Sequence, residues 1–371
     1  MKKIFLILFS VILVLTACTT PSETTEETPV VEEVVLTGLS PEEILETMTL
    51  EEKVGQMFIA RCPSTDAAIY AEKYNLGGYI LFGQDFKNSD PETFKTTVQS
   101  YHDAVKIPMF IAVDEEGGIV TRASRYTQFR DTPFPSPQEL YKDGGFEAVG
   151  ADAKEKSEFL LELGINMNFA PVCDISQSPD DFMYERSVAL DAEGTSTYVT
   201  TVVTEMNAAG MGSVLKHFPG YGNNVDTHTG IAVDKRPYED FVNNDFKPFT
   251  AGIDAGAGVI LVSHNIVECM DKERPASLSP EVMRIIREEL RFDGLIITDD
   301  LVMDAIGLYT DNKSAAVQAV IAGNDLLCCT DFTEQVPAVI KAVEDGTISE
   351  ERINESVLRI LSYKIGLGII K

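Results

Sequence analysis

The chain has 371 residues, of which 59 are Asp or Glu and 30 are Lys or Arg, so its net charge is −29. Proteins that bind nucleic acids contact phosphates through clustered Lys and Arg, so this charge excludes unaided nucleic-acid binding. Hydrophobic residues make up 44% of the chain and the mean hydropathy is near zero. We therefore expect a globular body with a sizeable core.

The N-terminal residues predict export and a lipid anchor. Two lysines precede an apolar run at positions 4–15, which fits a signal peptide and is shorter than the roughly 20 residues that span a bilayer. The LTAC sequence at 15–18 resembles the bacterial lipoprotein cleavage box, whose cysteine becomes the lipidated first residue. We predict a lipoprotein signal peptide over 1–17, a lipidated Cys18 and an extracytoplasmic protein anchored to the cell membrane.

Residues 18–38 are rich in Thr, Glu and Pro and contain no aromatic residue. Such a composition cannot bury enough apolar surface to become ordered, so it predicts a disordered acidic tether. The folded domain is then expected to occupy 39–371.

Five cysteines remain after Cys18, and no CxxC motif is present. Cys328 and Cys329 are adjacent within an apolar run, where successive side chains point to opposite faces, so they are poor disulfide partners. We expect all five to be buried free thiols.

Short apolar runs alternate with helical periodicity along the main body, as in parallel strands joined by crossover helices. This pattern predicts an α/β fold, a TIM-type (β/α)8 barrel forming a single catalytic domain; no glycine-rich phosphate loop follows the first strand to favour a doubly wound sheet. The predicted strands are 58–61, 78–82, 109–114, 166–170, 213–217, 259–264, 295–299 and 325–329. Helices are predicted at 41–57, 90–105, 146–163, 191–209, 238–255, 279–291, 313–322, 332–345 and 350–365.

Polar residues gather at the carboxyl ends of the predicted strands. In a (β/α)8 barrel that face holds the active site, because the βα loops converge there. Any one of these residues could instead be a helix cap or a core ion pair, but the set together indicates a catalytic or binding mouth. The residues are Asp114, Asp174, Lys216 with His217, His264 and Asp299.

The loop after the fifth strand carries Asp226 and His228, two positions apart. In an extended loop their side chains fall on the same side, so the carboxylate can orient the imidazole for general acid and base catalysis. An Asx-type turn with an incidental histidine explains the same pattern equally well.

Asp299 and Asp300 come at the end of the seventh strand. An inward aspartate here can attack an anomeric carbon while an acid on the opposite side protonates the leaving oxygen, as in retaining glycosidases. The other aspartate is expected to point away and to cap the following helix.

Taken together, these segments resemble glycoside hydrolase family 3, most closely its β-N-acetylhexosaminidase branch. The resemblance covers about residues 48–371, and several motifs occur in the family's order. They are VDEEGG at 113–118, FAPVCDI at 169–175, ERS at 185–187, KHFPGYGNNVDTHTG at 216–230, PASLSP at 275–280 and IITDDLVM at 296–303.

The resemblance implies a retaining exo-β-N-acetylhexosaminidase that works through a covalent glycosyl-aspartate. It implies that Asp299 is the nucleophile and that His228, oriented by Asp226, is the general acid/base. It further implies that five residues contact the non-reducing N-acetylglucosamine: Asp114, Arg122, Arg186, Lys216 and His217. The eight-strand pattern leaves no residues for a second domain, so we expect the acid to come from the barrel.

No cofactor or metal is predicted, because the chain has no HxH or HExxH motif and its four histidines lie in different segments. We expect a monomer acting on oligosaccharides with terminal β-N-acetylglucosamine. Fragments derived from peptidoglycan are the expected source, with chitin oligomers and host glycans as alternatives.

Three other functions stay open at this point. The chain could be a family 3 β-glucosidase or another β-glycosidase. It could be a phosphorylase, because a neutral acid/base repels phosphate less than a carboxylate does. It could also be a sugar-binding lipoprotein without activity, although such a binder needs neither a nucleophile nor an acid. Two departures from the family, Tyr221 in place of histidine and Ile119 in place of arginine, are expected to affect loop packing and aglycone preference.

Overall fold

The computed structural model of the protein describes residues 36–224 and 230–371. The predicted signal peptide, Cys18, most of the predicted tether and the pair Asp226 and His228 lie outside these residues. Ten strands occur in the described part: β1 Phe58–Arg61, β2 Gly78–Leu81, β3 Phe110–Val113, β4 Met167–Asn168, β5 Gly212–Phe218, β6 Val233–Asp234, β7 Val259–Val262, β8 Ile266–Val267, β9 Leu295–Thr298 and β10 Leu327–Cys329.

Eight of these strands form one parallel sheet in the order β10-β1-β2-β3-β4-β5-β7-β9. A parallel bridge between Ile297 and Leu326 brings β9 beside β10 and nearly closes the sheet into a barrel. The backbone N–H of Asp325 donates to the carbonyl of Ile296 at 2.8 Å across the same junction. The predicted (β/α)8 barrel is therefore confirmed.

All eight predicted strands are present, several with shorter ends. The fourth shrinks most, from the predicted 166–170 to Met167–Asn168. Strands β6 and β8, which pair parallel to each other beyond the barrel, were not predicted. They follow β5 and β7, so this small sheet lies on the carboxyl side of the barrel.

Helices fill the connections and begin at the residues expected of good caps. Ser40, Thr49 and Ser136 each open a helix with a capping box, in which the side chain accepts from the third helical N–H. Ser279 caps the helix that begins at Pro280, a residue favoured at the first helical position. The α-helices are α1 Pro41–Glu46, α2 Leu50–Gln56, α3 Ala67–Tyr74, α4 Gly83–Lys87, α5 Pro91–Asp103, α6 Pro137–Glu162, α7 Ala192–Ala209, α8 Tyr238–Asp240, α9 Phe246–Asp254, α10 Pro280–Arg284, α11 Asp304–Gly307, α12 Asn312–Ala322, α13 Phe332–Glu344 and α14 Glu350–Gly366.

Four predicted helices differ in detail. The single helix predicted over 41–57 is two helices, because the capping box at Thr49 starts a new one. Helix α6 begins earlier than predicted and is kinked at Gly144 and Gly145, which leave helical geometry. The helices predicted at 238–255 and 279–291 contain π-helical turns at Phe241–Asp245 and Ile285–Glu289.

The core lies inside the barrel and between the strands and their helices. Every residue of β2, β3, β5, β7 and β9 is buried, as expected for parallel strands covered on both faces. In the described part of the chain, no helix combines the length and apolar character needed to cross a membrane.

Candidate active site

A pocket of about 430 Å³ opens at the carboxyl ends of the barrel strands. Asp114 follows β3, His217 lies in β5 and Asp299 follows β9, so three separate strands supply its wall. Six residues that the family resemblance assigns to the site lie in the described part, and all six line this pocket: Asp114, Arg122, Arg186, Lys216, His217 and Asp299.

Lys216 joins Asp114, which lines the pocket, to Glu116, which is buried behind it. Its Nζ lies 2.6 Å from Asp114 Oδ1 and 2.6 Å from Glu116 Oε1. The lysine side chain is only 2% exposed, so its charge is compensated by these neighbours rather than by water. The arrangement presents a carboxylate and an ammonium side by side, which suits the hydroxyl groups of a sugar.

Arg186 forms a two-pronged ion pair with Glu116. Its Nε and Nη2 donate to the two carboxylate oxygens at 2.9 and 2.7 Å, the bidentate geometry that guanidinium groups favour. Burial alone would raise the pKa of Glu116, but Arg186 and Lys216 outweigh it and hold that pKa well below its usual range. Glu116 is therefore a buried anion.

His217 is oriented by Asp174. The Nδ1 atom of His217 lies 2.7 Å from Asp174 Oδ2, and the backbone N–H groups of His217 and Tyr221 also donate to this carboxylate. Because a carboxylate accepts, we assign the proton to Nδ1. The Nε2 atom then accepts from Arg186 Nη2 at 3.2 Å.

Asp299 and Asp300 both contribute to the pocket lining, and the expectation that one of them caps the following helix is wrong, because Met303 is the N-cap of that helix. Asp300 accepts from the backbone N–H groups of Val302 and Thr330 and from the Thr330 hydroxyl at 2.6 Å. It therefore caps a turn and joins two loops, and the helix α11 that follows begins after Met303 instead. Burial raises the pKa of Asp300.

The rim of the pocket carries two arginines around Phe82. The guanidinium carbons of Arg61 and Arg122 lie 4.5 and 5.5 Å from the Phe82 ring centre, within cation–π range. Arg122 Nη2 is 3.8 Å from Asp114 Oδ2. Its buried Nε has no hydrogen-bond partner among the described residues.

His264 does not join the pocket, contrary to the pattern of strand ends. It is fully buried, with Nδ1 2.7 Å from the Ser277 hydroxyl and Nε2 3.0 Å from the Asp300 carbonyl. His264 thus fixes the backbone at Asp300, next to Asp299, through this contact with the carbonyl. Asp174 likewise acts through His217 and is absent from the described pocket lining.

Sequence reasoning missed Arg61 and Phe82 at the rim of the pocket, and it also missed Glu116. Its signal was present, because VDEEGG places three consecutive acidic residues directly after β3. The first, Asp114, and the third, Glu116, both reach Lys216. Glu115 instead accepts from the backbone N–H groups of Arg122 and Ala123 and so shapes the loop that carries Arg122.

The two departures from the family pattern lie at different depths. Tyr221 is buried and packs edge-on against His217, with ring centres 5.3 Å apart. Ile119 is 58% exposed and lines a neighbouring depression together with Tyr141 and Tyr184. Tyr221 therefore belongs to the packing of the pocket, and Ile119 to its outer surface.

The cysteines of the described residues are free, as predicted. Cys62, Cys173, Cys328 and Cys329 are buried, but Cys269 is exposed, so the prediction of burial is wrong there. Cys269 lies just after the short strand β8, beyond the barrel. Within 36–224 and 230–371, no three His, Cys, Asp or Glu residues form a group that could hold a metal ion.

Comparison with known proteins agrees with this geometry. Residues 49–363 match the N-terminal domain of glycosyl hydrolase family 3. Over 363 residues the chain is 29% identical to the beta-hexosaminidase LpqI of Mycobacterium tuberculosis, covering 94% of this chain and 91% of the relative. A beta-hexosaminidase of Methylococcus capsulatus is 32% identical over 282 residues, covering 74% of this chain and 81% of the relative.

Among solved structures, a family 3 beta-N-acetylglucosaminidase from a Paenibacillus species superposes with a TM-score of 0.80 at 32% identity. The superposition covers 87% of this chain, which spans 63% of that longer protein. The structure of M. tuberculosis LpqI gives a TM-score of 0.79 at 27% identity and covers 88% of this chain. The chain belongs to glycoside hydrolase family 3 and is a glycoside hydrolase.

Proposed function

We propose that the protein is a retaining exo-β-N-acetylhexosaminidase that removes terminal β-N-acetylglucosamine from oligosaccharides. One observation carries the proposal: Asp299 shares a pocket of about 430 Å³ with the buried ion-pair network around Lys216. A carboxylate beside a compact polar cavity suits attack on one terminal sugar. The relatives named beta-hexosaminidase favour an acetamido sugar.

In the proposed reaction, Asp299 attacks the anomeric carbon while the bond to the leaving oxygen breaks. His228, oriented by Asp226, donates a proton to that oxygen, and a glycosyl-aspartate ester forms. In the second half, His228 takes a proton from water, whose oxygen attacks the anomeric carbon and releases Asp299. Two displacements retain the configuration.

The remaining pocket residues are proposed to bind the non-reducing sugar. Asp114 and Lys216 supply an acceptor and a donor 2.6 Å apart. His217, held by Asp174, and Arg186, held by Glu116, have fixed side-chain directions. Arg122 lines the pocket with its Nη2 3.8 Å from Asp114 Oδ2. Such prearranged groups bind a sugar with little loss of conformational entropy.

The decisive test is hydrolysis of 4-nitrophenyl N-acetyl-β-glucosaminide beside the 4-nitrophenyl β-glucoside, using the full chain. We expect preference for the acetamido sugar, near-complete loss of turnover in Asp299→Ala and severe loss in His228→Ala. A preference for the glucoside would make the protein a β-glucosidase of the same family. Wild-type rates in both variants would refute the assigned roles.

The natural substrate is proposed to be oligosaccharide derived from peptidoglycan. The support is the predicted export of the chain, since an exported enzyme meets cell-wall fragments. Peptidoglycan fragments and chitin oligomers should be offered side by side, and release of N-acetylglucosamine quantified. Turnover of chitin oligomers alone would reject the peptidoglycan assignment.

We also propose that Cys18 is lipidated and holds the enzyme, as a monomer, on the outer side of the cell membrane. The support is the LTAC sequence at 15–18 after an apolar run. Cell fractionation of the wild type and Cys18→Ala checks it, with Cys269→Ala as a matched control. We expect release of the mature form in Cys18→Ala alone; unchanged membrane retention would rule out the anchor.

A further inference from the structure

Two described stretches of chain flank the segment 225–229, in which the sequence places Asp226 and His228. We call residues 218–224, which leave β5, the incoming arm. Residues 230–236, which contain β6, are called the outgoing arm. The relative position of the two arms sets the distance and direction between residues 224 and 230, which flank the segment.

A single guanidinium group ties the two arms together. Arg236, in the outgoing arm, donates from Nη2 to the carbonyl of Gly220 in the incoming arm at 3.3 Å. It also donates from Nε and Nη2 to Asp234 Oδ2 at 3.0 and 2.8 Å. Its Nη1 lies 2.9 Å from Asp245 Oδ2, in the π-helical turn before α9. Arg236 thus links both arms to a helix outside the barrel.

A second link runs parallel to the first. Asn224, at the end of the incoming arm, donates from Nδ2 to Asp234 Oδ2 at 2.7 Å and to the Tyr221 carbonyl at 2.9 Å. Asp234 therefore accepts from both arms. Its side chain is 2% exposed, so water competes little for these hydrogen bonds.

The backbone of the incoming arm is shaped to approach this cluster. Gly220 and Gly222 have φ angles of 115° and 55°, which side-chain-bearing residues rarely adopt. A Cβ at Gly222 would lie 2.7 Å from Arg236 Cζ, and one at Gly220 would collide with Asp245. Both glycines thus allow the arm to pass directly over the Arg236 cluster.

The outgoing arm is fixed independently to the barrel side. The backbone N–H groups of Ile266 and Glu268 donate to the carbonyls of Ala232 and Asp234, each at 2.9 Å. The Phe241 ring lies beneath the Arg236 guanidinium, 4.3 Å from its carbon. Arg236 therefore projects from a fixed base, and its contact to Gly220 holds the incoming arm.

We propose that Arg236 is a positioning residue for acid/base catalysis. By fixing the two arms relative to each other, it sets the end points of the segment that carries Asp226 and His228. This inference rests on the proposed function, which assigns the acid/base role to His228. Arg236 itself is absent from the described residues that line the pocket, so its effect is indirect.

The dependence of kcat/KM on the leaving group distinguishes a misplaced general acid from a general loss of active-site structure. A 2,4-dinitrophenolate departs without a proton, whereas an alkoxide or sugar oxygen needs one. The kcat/KM value reports the steps through formation of the glycosyl-enzyme. Loss of the acid should therefore lower kcat/KM for a methyl N-acetyl-β-glucosaminide far more than for the 2,4-dinitrophenyl one.

The experiment measures kcat/KM for both substrates in the full-length wild type, Arg236→Ala, Arg236→Lys and His228→Ala. We expect Arg236→Ala to lose roughly 30-fold in kcat/KM with the methyl glycoside, a part of the roughly 10²–10⁴-fold contribution typical of general acid catalysis, and less than about 3-fold with the dinitrophenyl glycoside. Arg236→Lys should fall between, because lysine keeps the charge but lacks the fork of donors.

Two control variants match the change. Lys235→Ala removes a cation one residue away, with a side chain 74% exposed. Arg287→Ala removes an arginine of similar exposure, 21% against 25%, which bonds Asp325 and the Gly294 carbonyl at the amino ends of the strands. We expect neither control to discriminate between the two leaving groups.

The outcomes distinguish the positioning role of Arg236 from the acid/base role of His228 on which it rests. Equal losses on both substrates in Arg236→Ala, with selective loss in His228→Ala, would overturn the positioning role and leave the proposed function standing. No selectivity in His228→Ala would overturn both. If Arg236→Ala fails to fold, Arg236→Lys decides the question by the same ratio, because equal loss on both substrates in that variant also counts against the role.

Discussion

Asp174 holds His217 through two different groups, accepting from its backbone N–H at 3.1 Å and from its Nδ1 at 2.7 Å. The histidine ring direction and its tautomer are thereby set by one carboxylate. His217 Nε2 is left as an acceptor, and Arg186 Nη2 donates to it at 3.2 Å. Asp174 does not itself line the pocket. It orients His217, and through His217 Nε2 it also affects the contact with Arg186.

Asp174→Asn tests this arrangement. An amide can donate to Nδ1, which favours the proton on Nε2 and sets two donors, Nε2–H and Arg186 Nη2–H, against each other. We expect KM for the nitrophenyl substrate to rise roughly 10-fold and the free energy of unfolding to fall by about 1–3 kcal/mol, as for other unpaired buried polar groups. Steady-state kinetics and urea unfolding measure both. An unchanged KM would show that the His217 tautomer is irrelevant to binding.

Glu116→Gln tests the buried anion through pH. Folded Glu116 binds a proton less tightly than the unfolded chain does, because Arg186 and Lys216 favour its charged form. Its contribution to stability is therefore fully present above its ordinary pKa of 4.5 and is lost as pH falls toward the lower folded value. We expect the Tm difference between wild type and Glu116→Gln to be large at pH 7 and to narrow below pH 4.5.

A surface carboxylate provides the comparison for that experiment. Glu193 pairs with Lys247 at 2.9 Å and is 79% exposed, so Glu193→Gln should shift Tm little at any pH. Thermal unfolding between acid and neutral pH is followed for all three proteins. A Tm difference for Glu116→Gln that stays constant as the pH falls would contradict a depressed pKa.

Lys216→Met tests the cation between Asp114 and Glu116. Removing one partner of a buried ion pair leaves an uncompensated charge and costs about 3–5 kcal/mol, somewhat less here because Arg186 still faces Glu116. We expect a lower Tm and a loss of kcat/KM. Lys235→Met, in an exposed segment, should change neither. A stable Lys216→Met enzyme with normal kcat/KM would remove Lys216 from the sugar site.

Much of the barrel follows from the sequence because parallel strands buried on both faces are continuous apolar runs. All parallel strands of a barrel end at the same face, so residues after different strands, such as Asp114 and Asp299, could be assigned to one mouth. This assignment depends only on each residue following a predicted parallel strand. No knowledge of side-chain direction was required.

The errors arise where side-chain reach decides the outcome. His264 also ends a strand, yet it turns under the loop to the Asp300 carbonyl instead of into the pocket. Glu116 follows β3 and forms an ion pair with Lys216 in β5. The spacing within VDEEGG does not show which of its three carboxylates reach that lysine. The Arg236 cluster joins residues from both arms and a helix, and no local periodicity marks such a contact.

Asp300→Asn tests the division of labour between the adjacent aspartates. Asp300 accepts hydrogen bonds from Val302 and Thr330, so we assign it to loop structure and Asp299 to the reaction. We expect Asp300→Asn to lower Tm and to retain far more turnover than Asp299→Asn, for which a loss of about 10⁴-fold or more in kcat is expected of a missing nucleophile. The reverse order of activities would make Asp300 the nucleophile.

The most direct measurement of the central claim is the mass of the enzyme during turnover. The full chain is treated with a slowly hydrolysed fluorinated N-acetylglucosaminyl fluoride, and its intact mass and peptide map are recorded. We predict one added fluorinated N-acetylglucosaminyl group per chain, on the peptide that contains Asp299, and no adduct in Asp299→Ala. A glycosyl group on another residue, or an enzyme that turns the reagent over without any adduct, would contradict a covalent mechanism at Asp299.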